Sequence, residues 1–205
     1  VVLPFHDRRE GRNLIGTIGA MGRLTPRTIE DAATAWPAAS LPLPPRVAVL
    51  LGGPSKSAGF EAASVEAALI DLAKTHTLLI TPSRRTPQGL TDRLRTRLGP
   101  RAFVWDGVGA NPYPAILGLA DASLVTADSV NMSSEAASTG KPVHILPVAG
   151  LAPKLARFHT DLERHGASRP FRGRVETWSY PPLAEADRVA ALICEGLAQR
   201  RTASP

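Results

Sequence analysis

Val47–Leu51 reads V-A-V-L-L and runs directly into a glycine-rich turn, G-G-P-S-K-S-A-G-F, at residues 52–60. An unbroken apolar run of this length, bounded by glycines, is typical of a strand buried on both faces of a parallel sheet. After this turn, apolar residues recur three and four positions apart and predict a helix with one apolar face: Ala62, Val65, Leu69 and Leu72. A buried strand that leads through glycines into an amphipathic helix is the first half of a βαβ unit. The stretch therefore predicts an α/β fold.

Further strand-like runs alternate with helical patterns at Leu14–Ile18, Thr77–Thr81, Ala102–Trp105, Ser123–Thr126 and Val143–Leu146. Threonine-proline pairs predict helix starts at Thr25-Pro26 and Thr86-Pro87, with the hydroxyl as N-cap. Over residues 46–205 the alternation predicts a doubly wound, mostly parallel sheet of the Rossmann-like α/β class. Residues 1–45 add one strand, one helix and the proline-rich linker Ser40–Pro45. Because ligands of such sheets bind beyond the carboxyl ends of the strands, we expect the site in those loops.

The composition restricts the class of protein. The chain has 205 residues, of which 43% are hydrophobic, and a formal net charge of +6. These values fit a globular domain with a substantial core and exclude a disordered chain. The single cysteine, Cys194, excludes a disulfide scaffold and lies on a predicted apolar helix stripe, so we expect it to be buried. The histidines are scattered, so no metal site is predicted.

Two loops carry residues suited to a phosphate. In the first, Gly52 and Gly53 allow backbone N–H groups to approach an anion closely, and Ser55 and Lys56 add donors. The spacing matches neither a Walker A loop nor G-x-G-x-x-G, which disfavours a nicotinamide dinucleotide. In the second, the S-R-R run at 83–85 puts two guanidiniums at a predicted helix start, where a pyrophosphate would offset their unfavourable interaction with the helix dipole. A turn that needs glycine only for its geometry and a solvated arginine pair are the alternative interpretations.

Two further loops are suited to a nucleoside. Backbone groups at Val104 and Trp105, at a strand end, can read the edge of a nucleobase, although a tryptophan in this position is more often part of the core. Small polar residues crowd the helix after Ser123–Thr126, and the carboxylate of Glu135 within it can accept both hydroxyls of a ribose. The alternative interpretation of this segment is an ordinary helix capped by Asp128 or Ser129.

Several of these motifs resemble those of known families. The string A-D-A-S-L-V-T at 120–126, followed by S-E-A-A-S-T-G-K-P-V at 134–143, resembles the donor-site signature of GT-B glycosyltransferases. Over nearly the whole chain, P-x-H-D at 4–7, S-R-R-T-P at 83–87 and D-S-V-N-M at 128–132 resemble the bacterial branch of the mitochondrial fission ELM family. Members of that family are longer, so we expect this chain to be the C-terminal half, with residues 1–45 leading in from the N-terminal half.

The resemblance implies a GT-B-like domain that binds a nucleotide-diphosphate sugar, with no metal or other cofactor. It implies that Glu135 binds the ribose beside Ser134, and that Val104 and Trp105 offer their backbone to the base. The implied diphosphate site comprises Gly52, Gly53, Ser55, Lys56, Ser83, Arg84 and Arg85, where Pro54 removes one N–H donor. The implied donor-sugar loop comprises Asp128, Ser129, Asn131, Met132 and Ser133. No catalytic residue is assigned within this chain.

We therefore expect part of a metal-independent, GT-B-type glycosyltransferase. The alternatives are a non-catalytic recruitment protein, as in the plant members that act in mitochondrial division, and a GT-B-like sugar-nucleotide epimerase. The expected partners are a nucleotide sugar and the N-terminal domain of the same protein, without nucleic acid. The expected location is the cytoplasm, with the basic segment Arg157–Arg174 as a possible contact with an anionic inner membrane or as a solvated face.

Overall fold

The computed structural model of the chain describes residues 1–11, 13–37, 40 and 42–202, with side chains described as far as Gln199. Within the predicted linker Ser40–Pro45, Leu41 lies outside the described residues, and so do the last three positions of the predicted domain 46–205. The described elements are β1 Val2–Pro4, β2 Ile15–Thr17, α1 Pro26–Thr34, β3 Arg46–Leu51, α2 Ala62–Leu72, β4 Thr77–Pro82, α3 Leu90–Leu98, β5 Ala102–Val104, α4 Tyr113–Leu119, β6 Ala122–Thr126, α5 Val130–Ala137, β7 Val143–Leu146, α6 Pro153–Arg164, β8 Ser168–Pro170 and α7 Glu185–Thr202.

The main sheet has six strands in the order β5-β4-β3-β6-β7-β8, and every neighbouring pair is parallel. The chain first builds outward from β3 to β5, and then crosses back to place β6 on the other side of β3. This confirms the predicted doubly wound, Rossmann-like α/β class. The short strands β1 and β2 form a separate two-stranded parallel sheet.

Strand β3 is buried from Val47 to Leu51, which explains why its sequence shows no alternation of polar and apolar residues. Its side chains alternate between two core layers. Leu50 packs in the layer that contains Phe158, and Val49 packs in the layer that contains Leu69. Helices therefore cover both faces of the sheet, and the carboxyl edge is left open to loops.

Helix α1 packs against helix α4 and joins the first core layer through Ile29. The two helices meet at Gly118, where an added Cβ would lie 2.7 Å from the Cβ of Ala33 and 2.8 Å from the carbonyl oxygen of Ile29. Thr25 caps α1 as predicted, because its hydroxyl accepts a hydrogen bond from the N–H of Thr28 at 3.1 Å. Residues before the linker are thus fixed to the α/β unit by close helix packing.

Two local predictions are wrong. Thr86-Pro87 does not start a helix: α3 begins at Leu90, after Gly89 at a φ of 78°. Cys194 is exposed rather than buried, because α7 leaves the core beyond Val189 and turns its later apolar residues toward solvent. Strands β1 and β8, with three residues each, were not predicted from the sequence.

Candidate functional site

The loops after β3, β4 and β6 meet where the order of the sheet reverses. Strands β3 and β6 are neighbours in the sheet, although the chain reaches β6 only after it has built outward through β4 and β5. This point is the usual ligand crevice of an open α/β sheet. The predicted diphosphate residues and the predicted donor-sugar loop both lie at this edge.

The Gly52-Gly53 turn is held by hydrogen bonds to the loop after β6. The N–H of Gly52 donates to Thr126 Oγ1 at 2.8 Å, and the N–H of Gly53 donates to Asp128 Oδ2 at 3.0 Å. An added Cβ at Gly52 would lie 2.0 Å from Asp128 Oδ2, and one at Gly53 would lie 1.8 Å from the carbonyl oxygen of Arg85. Glycine is therefore required here by close packing, and a carboxylate of the chain already occupies the Gly53 donor.

Asp128 and Arg85 form the ion pair at the centre of this edge. Arg85 Nη2 lies 2.8 Å from Asp128 Oδ2, and Arg85 Nη1 donates to the carbonyl oxygen of Gly53 at 2.6 Å. The two partners differ in environment, because the side chain of Asp128 is 0% exposed and that of Arg85 is 40% exposed. The second oxygen of Asp128, Oδ1, is buried without a hydrogen-bond partner in the described part of the chain. Arg85 therefore has a structural role that the sequence did not indicate.

Thr86 bridges the same two loops. Its hydroxyl donates to the carbonyl oxygen of Gly52 at 2.7 Å and accepts from the N–H of Ser83 at 2.9 Å. Ser83 Oγ in turn accepts from the N–H of Arg85 at 3.2 Å. The Ser83–Thr86 segment is thus a compact turn that fastens to the glycine turn, and not the first turn of a helix.

Lys56 and Arg84 are the cations at this edge that the fold leaves unused. Both side chains are exposed, and neither has a hydrogen-bond or ion-pair partner among the described residues. Ser55 lies beside Lys56, and its hydroxyl accepts from the N–H of Ser57 at 3.1 Å. An anion can therefore bind these two cations without breaking a hydrogen bond or ion pair of the described residues.

Helix α5 begins with Ser129 as its N-cap, whose hydroxyl accepts from the N–H of Met132 at 3.3 Å. Asn131 is exposed, and Ser133 is buried with its hydroxyl unpaired among the described residues. Ser134 Oγ donates to the carbonyl oxygen of Val130 at 2.8 Å and accepts from the N–H of Ala20 at 3.0 Å. Ser134 therefore joins α5 to the segment after β2.

Glu135 lies at the edge of a cleft of about 220 Å³ between α5, the segment 20–26 and the start of α7. The phenol of Tyr113, at the start of α4, donates to Glu135 Oε2 at 2.7 Å. Burial, and then the neighbouring carboxylate, raise the pKa of Tyr113 far above its usual value, so the phenol remains a donor at neutral pH. Glu135 Oε1 has no hydrogen-bond partner among the described residues, so this oxygen is available to a ligand in the cleft. The cleft is lined by Ala20, Gly22, Leu24, Thr25, Pro26, Ser134, Glu135, Ser138, Pro182, Leu183, Ala184, Glu185, Ala186 and Asp187.

Val104 and Trp105 lie apart from the glycine turn, at the end of the edge strand β5. Trp105 is half-buried just outside the strand, where its N–H donates to the carbonyl oxygen of Ile80 at 3.0 Å. Its indole N–H donates to the carbonyl oxygen of Val108 at 3.3 Å, so the ring is held by its own loop. The structure thus divides the predicted residues into three groups. They lie at the glycine turn with its ion pair, at the Glu135 cleft, and at the end of strand β5.

The contacts that sequence reasoning missed are Tyr113 to Glu135, Thr126 to Gly52 and Asp128 to Arg85. Among the described residues, no group of three or more His, Cys, Asp or Glu side chains is placed to hold a metal ion. None of the described helices is long and apolar enough to cross a lipid bilayer.

The parallel sheet and its reversal between β3 and β6 define a Rossmann-like α/β protein. The chain belongs to the mitochondrial fission ELM1 family, whose model matches residues 1–197. It is 35% identical over 198 residues to "Mitochondrial fission protein ELM1" of Arabidopsis thaliana, covering 92% of this chain and 46% of that protein. It is 30% identical over 208 residues to "Uncharacterized protein RP120" of Rickettsia prowazekii, covering 92% of this chain and 56% of that protein. The chain thus spans about half the length of these relatives.

Proposed function

We propose that this chain binds a nucleoside diphosphate sugar at the carboxyl edge of its main sheet and forms the donor half of a sugar transferase. The observation that carries the proposal is the carboxylate of Glu135, which Tyr113 holds at the edge of the cleft with one oxygen unused. The doubly wound sheet supports it, because nucleotides are typical ligands of this crevice. The names of the two relatives do not include this activity.

The geometry of Glu135 suits a ribose. A carboxylate accepts hydrogen bonds only and offers about four lone-pair positions, of which Tyr113 uses one. The vicinal hydroxyls of a ribose are two donors at matching separation, so both can bind the same carboxylate. Ser134, next to Glu135, is already committed to Val130 and Ala20, and therefore supports the site without contributing a free hydroxyl.

The diphosphate requires cations outside the glycine turn. The N–H of Gly53 is taken by Asp128, whose charge is balanced by Arg85. The free cations at the same edge are Lys56 and Arg84, and they come from the loops after β3 and β4. We infer that the diphosphate lies across these two side chains rather than inside the turn, with charge-assisted hydrogen bonds as its main attraction.

A complete transfer reaction needs the remainder of the protein. The chain covers 46% of the Arabidopsis relative, so the acceptor site and the base are assigned to the part outside it. We expect the chain alone to bind a nucleotide sugar with a Kd of roughly tens of micromolar to millimolar, because half of the wall that excludes water is absent. We expect no sugar transfer by the chain alone.

The test is calorimetric titration of the chain with UDP-, GDP- and ADP-sugars. Glu135→Gln keeps an oxygen that can accept from Tyr113 but removes the charge, so it should weaken binding by about tenfold or more. Glu195→Gln is the matched control, since Glu195 is an exposed glutamate on α7 away from the cleft, and it should bind like the parent chain. Circular dichroism confirms that each variant is folded.

Two outcomes would contradict the proposal. Equal affinity of the parent chain and folded Glu135→Gln removes Glu135 from the site, and a folded chain that binds none of the three sugars removes the nucleotide. The second result would favour a non-catalytic recruitment protein, for which there is one specific observation: Asp128 fills the anion position of the glycine turn.

A further inference from the structure

A pocket rich in arginine lies on the face of α6 that packs against the chain start, outside the loops of the candidate nucleotide site. It has a volume of about 290 Å³ and is lined by Phe5, Arg8, Arg157, Thr160, Asp161 and Arg164. Arg157, Asp161 and Arg164 recur at the spacing of successive helix turns, so they share one face of α6. Arg8 reaches the same pocket from the short 3₁₀ turn at Phe5–Asp7.

The turn that carries Arg8 is fixed to α6. Arg157 donates through Nε and Nη2 to the carbonyl oxygen of His6, at 3.3 and 3.0 Å. The His6 ring is buried, and its centroid lies 5.6 Å from that of Phe158 in an edge-to-face contact. Arg8 adopts a left-handed backbone conformation with a φ of 49°, and its N–H donates to the carbonyl oxygen of Phe5 at 3.0 Å. Tertiary contacts therefore hold the turn that carries Arg8 against α6 and form the wall of the pocket.

The charges around this pocket do not balance. Three guanidiniums meet a single carboxylate, Asp161, which lies 3.5 Å from Arg164 in an exposed pair of the kind that contributes little. Asp7, which precedes Arg8 in the chain, pairs with Lys154 instead. The guanidinium of Arg8 has no hydrogen-bond or ion-pair partner among the described residues. Cations that line one pocket repel one another, and a bound anion relieves that repulsion.

We propose that this pocket binds a phosphate group. A guanidinium offers several N–H donors in a fork that matches the oxygens of a phosphate, and three of them suit an anion with more than one charge. Thr160 lies at the rim as a further polar group, with its hydroxyl donating to the carbonyl oxygen of Ala156 at 3.1 Å. Phe5, with 56% of its surface exposed, places an apolar ring beside the arginines. A phosphate attached to an apolar group therefore fits, whether it is a free phosphate compound or a lipid headgroup.

The test uses two probes, inorganic phosphate in a thermal-shift titration and vesicles in a co-sedimentation assay. The vesicles are phosphatidylcholine with and without phosphatidic acid. The Arg8→Gln/Arg164→Gln double variant removes two exposed guanidiniums and should weaken binding about tenfold or more. The Arg27→Gln/Arg95→Gln double variant removes the same charge at exposed positions outside the pocket and should bind as the parent chain does.

Each result has a defined meaning. Binding to both probes that depends on Arg8 and Arg164 supports a site for phosphate compounds in general, and binding to phosphatidic acid vesicles alone supports a lipid headgroup site. Absence of binding to both probes overturns the proposal. Equal loss in the two double variants also overturns it, because attraction would then come from net charge rather than from this pocket.

Discussion

Replacing Arg85 should destabilise the chain, whereas the same replacement at the adjacent Arg84 should not. Arg85→Met keeps an unbranched side chain of similar length but removes the cation from Asp128 and the donor from the carbonyl oxygen of Gly53. Arg84→Met is the matched control, since Arg84 is exposed and has no partner in the described part of the chain. The sequence alone treats these two arginines as equivalent.

The magnitude follows from which partner is buried. After Arg85→Met, the 0% exposed carboxylate of Asp128 keeps only the N–H of Gly53 as a hydrogen-bond donor. Breaking a buried pair in this way costs about 3–5 kcal/mol, and the 40% exposure of Arg85 shows that water reaches the pair. We therefore expect a loss of about 2–4 kcal/mol in the free energy of unfolding. Arg84→Met should stay within about 0.5 kcal/mol of the parent chain.

Replacing Asp128 should reduce the free energy of unfolding by less than replacing Arg85 does. Asp128→Asn leaves an oxygen for the N–H of Gly53 and leaves Arg85 free to turn to solvent, so the expected loss is about 1–2 kcal/mol. The double variant Arg85→Met/Asp128→Asn should lose less free energy of unfolding than the two single losses added together. The reason is that removal of both partners leaves no buried unpaired charge.

Urea denaturation followed by circular dichroism measures these four variants against the parent chain. The reasoning is refuted if Arg85→Met and Arg84→Met unfold at the same urea concentration with equal slopes. A loss for Asp128→Asn larger than that for Arg85→Met would also contradict it, because Asp128 and not Arg85 would then be the partner whose removal leaves a buried charge.

Two further predictions concern pH and helix packing. Burial lowers the pKa of four histidines below the usual 6.5: His6, His76, His144 and His159. As the pH falls, these histidines therefore take up protons at a higher pH in the unfolded chain than in the folded chain. The free energy of unfolding should reach its full value above pH 6.5 and decline as the pH falls below it. Urea midpoints at about pH 7.5 and pH 5.5 should show the loss, and unchanged midpoints would contradict it. Gly118→Ala should destabilise the chain by about 1–3 kcal/mol, because the new Cβ lies 2.8 Å from the carbonyl oxygen of Ile29. Its control, Gly196→Ala on the open face of α7, meets nothing within 4 Å and should stabilise by about 0.5–1 kcal/mol; thermal melts compare the two.

The strands of the main sheet were predictable because burial on both faces makes them continuous apolar runs. Five of the six were located from this pattern, to within a residue at most ends. The sixth, Ser168–Pro170, lies at the edge of the sheet with two of its three residues exposed, so no apolar run marks it. Cys194 was misplaced for a related reason: a helical stripe predicts that residues share a face, but not that another element covers this face.

The site was predictable in its composition but not in its contacts. Thr86-Pro87 carries the local signal of a capped helix, yet the hydroxyl of Thr86 bonds to Gly52 in another loop. Asp128 has the composition of a helix cap, and only the fold brings it within 2.8 Å of Arg85, far away in the sequence. Local patterns report what each segment can do alone, whereas these residues were assigned by tertiary partners.

The contact between α1 and α4 at Gly118 brings the two helices as close as their backbones allow. The backbone of α1 lies against α4 with no room for a methyl group between them. Helix α4 begins at Tyr113, whose phenol donates a hydrogen bond to the carboxylate of Glu135. Helix α1 therefore packs against the helix whose first residue holds that carboxylate, even though a proline-rich linker separates α1 from the sheet along the chain.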